Sequence, residues 1–247
     1  MKYIKTFDTE SNYAAYRDGT DYLKPNVSLC DDKGKVHYNY PKWDTADKPF
    51  VDFGLPSGTL WATCNVGAST PTDNGFYFQW GDTVGYTADQ VGTDKQFSWT
   101  DCKWRLSGDS FDNIAFTKYN KTDNKTVLEL EDDAAHAYMG GDWHMPTPDQ
   151  IQELLDNTTT AWTTSNGTGM TFTSTKDTSK SIFIPAAGSA WGGSLYSSGG
   201  NGGVWSSMLT TVNVMGGQNL YFNSDFAGLG SLYVSRVNGL SVRGVLG

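Results

Sequence analysis

From Ser181 to Gly247 the chain runs for 67 residues with only three charges, Asp225, Arg236 and Arg243, and holds half of its 28 glycines. A flexible linker of Gly, Ser and Asn has that composition but lacks large rings. This stretch carries Trp191, Tyr196, Trp205, Tyr221, Phe222, Phe226 and Tyr233. It is therefore expected to fold, as an irregular, loop-rich structure held by aromatic burial rather than by charge. The chain as a whole has 247 residues, with 18 Lys and Arg against 27 Asp and Glu, a net charge of −9. Without a basic block it is a poor candidate for sequence-independent nucleic-acid binding, which runs on phosphate neutralisation. No stretch approaches 18 consecutive apolar residues, so no membrane insertion is expected.

Residues 1–12 show neither the apolar core nor the small-residue cleavage site of a secretory signal, and synthesis in a cytoplasm is expected. Cys30, Cys64 and Cys102 are spaced too widely for a metal knuckle or a redox pair and read as reduced thiols.

Three regions follow from the pattern. Residues 1–40 form a small N-terminal unit for attachment or oligomerisation. Asp8 or Thr9 can cap a short helix with Tyr13 and Tyr16 on one face. Strands Asn26–Cys30 and Lys35–Tyr40 then flank the turn Asp31-Asp32-Lys33-Gly34. Residues 41–49, bounded by Pro41 and Pro49, form the linker. Residues 50–247 form the main domain, with early strands Phe50–Phe53, Thr59–Thr63 and Phe76–Trp80 and an insertion from Val84 to Lys125. A helix is expected over Leu128–Met139, with Asp132 and Asp133 in its early turns and Gly140-Gly141 as its stop. A capping box at Thr147-Pro148-Asp149-Gln150 opens a second helix carrying Ile151, Leu154 and Leu155. Later strands are expected at Gly169–Thr175, Ser181–Pro185, Val204–Ser207, Asn219–Ser224 and Leu240–Leu246. Two short helices among many strands, without βαβ alternation, predict an α+β fold.

Catalytic machinery does not stand out. His136 and His144 are eight apart with two glycines between them, unlike an i, i+4 metal pair. No nucleophile elbow, phosphate loop or dinucleotide fingerprint occurs, and Asp132-Asp133 reads as helix capping. The chain is not expected to be an enzyme, and no cofactor is expected.

Several segments carry a resemblance. Val51–Ala68 (VDFGLPSGTLWATCNVGA) is similar to the opening of a lectin-like domain abundant in gut anaerobes and their phages. So are Phe76–Thr83 (FYFQWGDT), Gly141–Leu155 (GDWHMPTPDQIQELL), Ile182–Gly188 (IFIPAAG), Trp205-Ser206-Ser207 and Leu240-Ser241-Val242-Arg243. The resemblance implies a C-type-lectin-like fold with short twisted mixed strands, two helices and a long irregular C-terminal half. Calcium-dependent sugar lectins carry Glu-Pro-Asn or Gln-Pro-Asp with Trp-Asn-Asp, and this chain has neither. A structural calcium is not indicated. The related formylglycine-generating enzymes need cysteines in the C-terminal half, and none follows Cys102.

The C-terminal half also resembles the variable proteins of diversity-generating retroelements, which display a ligand surface rewritten at template adenines. Leu220, Phe222 and Ser224 alternate with Asn219, Tyr221 and Asn223, one register being scaffold and the other display. Adenine rewriting of an Asn codon never yields Lys, Glu, Gln, Met or Trp. Between Thr210 and Asn238 only Met215 and Gln218 fall outside the permitted set. The resemblance implies a variable region near residues 205–238. Tyr221, Phe226, Leu232, Tyr233 and Val234 would be its apolar anchors. Asn213, Asn219 and Arg236 would make polar contacts, with Thr210 and Val212 beside them. Glycines 216 and 217, with Gly228 and Gly230, would leave shallow concavities. Trp61, Trp80, Trp143, Trp205 and Phe222 are expected as buried scaffold, and Arg243 as a partner for a carboxylate that fixes the last strand.

Residues 23–28 and 35–39 are similar to segments opening structural proteins of phages that infect gut anaerobes. The expectation is a phage tail adhesin in the virion, recognising a protein or glycan receptor on a bacterial surface. Its N-terminal unit would join other tail proteins or form a homo-oligomer, with a trimer as the leading state. The alternative is a bacterial surface or fimbrial-tip protein that binds host glycan or protein.

Overall fold

Asp133 starts the shorter helix: its carboxylate accepts the His136 backbone N–H at 2.9 Å, opening α1 (Ala134–Met139), which stops at Gly140 with φ of 70°. The helix is shorter than the expected Leu128–Met139. Residues Leu130–Asp132 make a single 3-10 turn, and the Asp132 side chain is drawn away to Lys103, Lys118 and Tyr119. Thr147 and Gln150 close the expected capping box, with Pro148 at the first position, and set up α2 (Pro148–Asp156). Ile151 and Leu154 share its buried face.

The computed structural model describes residues 28–30, 36–38, 50–210, 214–230 and 234–247. The chain divides into two compact units, Met1–Asp44 and Thr45–Gly247. In the first, β1 (Ser28–Cys30) and β2 (Val36–Tyr38) pair antiparallel with Leu29 opposite His37. The expected helix around Tyr13 and Tyr16 lies outside the described residues.

In the second unit, β3 (Phe50–Asp52) pairs with β4 (Leu60–Ala62). The insertion contributes a hairpin of β5 (Arg105–Ser107) and β6 (Ala115–Phe116). A three-stranded antiparallel sheet follows, of β7 (Thr158–Thr163), β8 (Gly169–Ser174) and β9 (Ser181–Pro185). A small hairpin of β10 (Ser189–Trp191) and β11 (Ser194–Tyr196) leads to the longest strand, β12 (Asn201–Leu209). β12 pairs with β13 (Gly216–Asn223), which also pairs with β14 (Ala227–Leu229) and β15 (Val234–Ser235). Finally β16 (Val245–Leu246) returns to β4, with Val245 opposite Trp61.

This architecture corrects the expected fold class. Among the described residues the chain is mostly short strands in small sheets of two to four strands, with two short helices, and a C-type-lectin-like fold is not shown. The physical reason is visible in two expected strands. Phe76–Trp80 joins no sheet, because its backbone groups pair with separate partners: Tyr77 with Tyr86, Phe78 with Leu240, and Trp80 N–H with the Arg236 carbonyl. Most of Leu240–Leu246 is likewise shared out, to Phe78, Trp205, Val66 and Ala62, leaving only its end as β16.

The main core gathers Phe53, Trp61, Ile151, Leu154, Phe172, Ile184, Leu220 and Phe222, contributed by both ends of the unit and by α2. Trp61, Trp80, Trp143, Trp205 and Phe222 are fully buried, as expected. Two of the indoles clamp the Phe76–Trp80 segment to β12. The Trp80 N–H donates to the Ser206 carbonyl at 2.9 Å, and the Trp205 N–H to the Phe78 carbonyl at 2.7 Å. The insertion is part of the packing too: its Trp99, Ile114 and Phe116 form a second cluster with Val237.

Arg243 departs from expectation. Its partners are neutral: the Ala62 and Phe183 carbonyls at 3.0 Å each and Asn65 Oδ1 at 2.9 Å, and among the described residues no carboxylate pairs with it. Burial pushes its pKa down to about 10, and the guanidinium still carries its charge at neutral pH. Replacing Arg243 by Met keeps the bulk but strips three buried acceptors of their donor. The expected cost is about 2–5 kcal/mol, at about 1–3 kcal/mol per unsatisfied group with partial relaxation, read as a lowered urea midpoint with an unchanged slope.

Candidate functional site

Alternation along β13 sends Leu220 and Phe222 into the core and Asn219 and Tyr221 to the opposite face. Cross-strand pairing then decides what surrounds Tyr221. Its neighbours are Gly203 on β12 and Gly228 on β14, so its ring stands between two residues without side chains. The Phe226 ring folds over Gly228, where a Cβ would collide with it, and lies 6.5 Å from the Tyr221 ring at a tilt of 34°. Phe226 is 52% exposed, a large apolar ring left in water at the edge of this sheet. Asn223 Nδ2 donates to the Tyr221 hydroxyl at 3.3 Å and steadies its outer end.

Beside Tyr221 the surface sinks into a cavity of about 150 Å³. Gly188, Gly202 and Gly203 leave part of its wall as bare backbone. Three amides, Asn201, Asn219 and Asn238, line it together with the Ser189 residue, and Val234 and Leu240 supply the apolar part. Among the described residues, no charged side chain lines it. Asn219 is the most constrained of these. It is 1% exposed, its Oδ1 has no hydrogen-bond partner, and its Nδ2 reaches only the Leu220 carbonyl, at 3.4 Å. A buried amide oxygen left unpaired costs about 1–3 kcal/mol; this one lies on the Gly230 side, where a Cβ would collide with it, while Nδ2 lies on the Gly203 side, toward the cavity.

The residues expected to form a ligand surface separate into groups. Tyr221 and Val234 are partly exposed and line the cavity, and Phe226 lies beside it. Thr210 and Gly230 are partly exposed but are not in its lining. Asn219 lines the cavity as a buried residue rather than as an exposed polar contact. Arg236 is not a surface contact at all. It is fully buried, donates to the Tyr119 and Val214 carbonyls, and lies 4.1 Å from the Phe116 ring centre and 5.1 Å from that of Trp80. Gly228 is buried under Phe226. Val212, Asn213, Leu232 and Tyr233 lie outside the described residues. The glycines also act differently from expectation. Gly217 leaves room for Trp205 and Trp80, whose atoms a Cβ would meet at 2.7 and 2.9 Å, and Gly230 for Asn219. Of the glycines that line the cavity, Gly203 is the one whose missing side chain borders other lining residues, Leu240 and Asn219, and alternation along β13 could not single it out; Gly202 and Gly188 instead make room for Phe222 and for the Tyr196–Ser198 backbone.

Acidic groups gather elsewhere. Glu129, Glu131 and Asp132 bring carboxylate oxygens close enough to hold a metal ion, but lysines already occupy the space between them. Lys118 pairs with all three, Lys103 reaches Asp132 at 3.0 Å, and Lys125 reaches Glu129 at 2.5 Å. A divalent cation would have to displace at least two ammonium groups, so the donor set suits an ion-pair network instead. Burial pushes the Asp132 carboxyl up, but hydrogen bonds from Lys118, Tyr119 and Lys103 together outweigh it and hold it below the ordinary range. Asp133 is shifted the other way, raised by burial. Its oxygens accept the His136 and Met145 backbone N–H groups, so it holds a helix start in place rather than offering a proton.

Comparison with family models, with curated proteins and with solved structures gives no match.

Because the native Asp132 pKa is depressed, its stabilising contribution is complete above the ordinary carboxylate value and is lost as pH falls through the native one. Asp132→Asn, which leaves Lys118 and Lys103 without their buried partner, is expected to cost about 3 kcal/mol at pH 7, the low end of the range for breaking a buried pair. In urea titrations at several pH values, the gap to the parent protein should shrink below the ordinary Asp value of about 3.9.

Proposed function

We propose that the chain is a receptor-binding protein that uses the outer face of β12, β13 and β14 to grip its ligand. The observation that carries this is the row Gly203–Tyr221–Gly228, which leaves an aromatic ring without bulky cross-strand neighbours beside a cavity lined by asparagines. Aromatic anchors next to desolvated pockets supply most of the energy in recognition surfaces. Exposed Phe226 extends that anchor outward. The polar groups of the site are amides and hydroxyls, which suits binding rather than proton transfer.

The setting is proposed from resemblance. The likeness of residues 23–28 and 35–39 to the openings of phage structural proteins supports a virion tail protein that attaches to a bacterial surface. Residues 1–40 would then be its attachment or oligomerisation unit. The likeness to retroelement variable proteins supports a diversified outer face. Among the described residues, diversification is compatible with stability at Tyr221, Phe226 and Val234, which are partly or largely exposed. It is not compatible at Arg236, which is buried among rings and carbonyls.

Binding of the fluorescently labelled protein to a panel of intact bacterial cells tests the proposal. Saturable binding is expected to at least one strain. Tyr221→Ala should weaken it by more than tenfold, about 1.4 kcal/mol, while moving the thermal midpoint by less than about 4 °C. No saturable binding to any strain, or undiminished binding by the variant, would overturn it.

A further inference from the structure

The ligand chemistry can be narrowed from the cavity itself, and this step rests on the receptor-binding reading. We infer that the cavity beside Tyr221 seats the ring of a neutral sugar, with a hydroxyl or acetamido group of that sugar bonded to the Asn219 amide and no cation bridging the two.

Charge decides first. The chain carries a net charge of −9, yet among the described residues no Lys, Arg, Asp or Glu lines the cavity. An ionic ligand would be stripped of water there with no counter-charge to meet it. A bridging calcium would need several oxygen ligands, normally including carboxylates, and the lining offers none. Polarity decides next. A hydrocarbon ligand would leave the polar groups of Ser189, Asn201, Asn219 and Asn238 facing apolar surface. The ligand must therefore be uncharged and rich in both donors and acceptors, matching an amide that offers both.

Shape separates a sugar from a peptide. An enclosed cavity of about 150 Å³ holds a benzene molecule; this one has that volume but opens to the surface, so it takes one edge of a six-membered ring while the remaining substituents stay in water. An extended peptide would instead need an open strand edge. Here β12 is paired to β13 and bridged to Ser241 at Val204, β13 is paired on both sides, and β14, which pairs only with β13, does not line the cavity. The bare backbone of Gly203 allows a ring to approach closely, and Tyr221 at the rim offers an aromatic surface to the C–H groups of a pyranose.

Gly203 also provides the test. Its φ lies outside the left-handed region, so alanine is conformationally tolerated. A Cβ there would meet the Leu240 methyls at 3.1 and 3.2 Å and Asn219 Nδ2 at 3.6 Å, all in residues that line the cavity, so the Leu240 side chain must give by a few tenths of an ångström to admit it. The experiment titrates the full chain with methyl glycosides of glucose, galactose and N-acetylglucosamine, followed by saturation-transfer NMR with and without EDTA. A neutral glycoside should bind with millimolar or better affinity, unchanged by EDTA. Gly203→Ala should bind it at least tenfold more weakly while remaining folded, its thermal midpoint moving by less than about 4 °C. Equal binding by Gly203→Ala, or loss of binding in EDTA, would overturn the inference. So would Tyr221-dependent cell binding that charged glycosides or peptides displace and neutral glycosides do not, although the receptor-binding reading would then stand. Absence of cell binding would sink that reading separately.

Discussion

Two arginines, Arg236 and Arg243, are the only cations between Ser181 and Gly247, and both are fully buried. Each gathers backbone carbonyls from segments far away in sequence. Arg243 takes those of Ala62 and Phe183, and Arg236 takes those of Tyr119 and Val214. A loop-rich structure leaves many carbonyls without ladder partners, and each must be satisfied if it is to be buried. A guanidinium supplies five donors in one rigid plane, so one side chain can close several loops at once. Desolvating the charge is expensive. The ring faces of Trp80, Phe116 and Tyr119 around Arg236 return part of that cost. The insertion and the C-terminal half are thereby tied together at Arg236, and the first strands and the three-stranded sheet at Arg243.

Much of the local structure was legible beforehand because its causes are local. The capping box at Thr147, the stop at Gly140 and the burial of five large rings need only neighbouring residues or bulk hydrophobicity. Elements whose partners are remote were not legible. β7, Thr158–Thr163, reads as a polar threonine run, and it becomes a strand only because β8 lies opposite it in full register. Phe76–Trp80 has the composition of a strand, yet its hydrogen bonds go to Tyr86, Leu240 and Arg236 separately. A resemblance carried by short motifs conveys those local causes. It does not convey the pairing that defines a fold, and the small separate sheets seen here arise from that pairing.

The same division runs through the site. Alternation along β13 correctly placed Leu220 and Phe222 in the core, since a strand with one buried face has only one register to choose. It could not show that the opposite face is itself partly covered. Trp205 and Asn219 sit on that face and are both buried, because Gly217 and Gly230 let neighbouring layers close over them. Glycine was taken from the sequence as a sign of open surface. At these two positions it signals close packing, and so it does at Gly188, which backs onto the Tyr196–Ser198 backbone; of the cavity's glycines Gly203 is the one whose side-chain space opens toward other lining residues, Leu240 and Asn219.

This arrangement separates what holds the fold from what meets a ligand. Asn219 belongs to both: it is buried in the row Trp205–Asn219–Gly230 and also lines the cavity. A change there alters packing and recognition together, so its identity is constrained from two directions. Tyr221, flanked by Gly203 and Gly228, touches no bulky cross-strand neighbour and can be exchanged at small structural cost. Its glycine neighbours cannot be exchanged so freely: a side chain at Gly203 enters the cavity, and one at Gly228 displaces the Phe226 ring. Under the proposed receptor-binding role, such a surface would change specificity through a few projecting rings while its backbone walls and buried amide stayed constant. The low charge of the region favours the same outcome, since exchanging one neutral side chain for another disturbs no ion pair and leaves the two buried arginines in place.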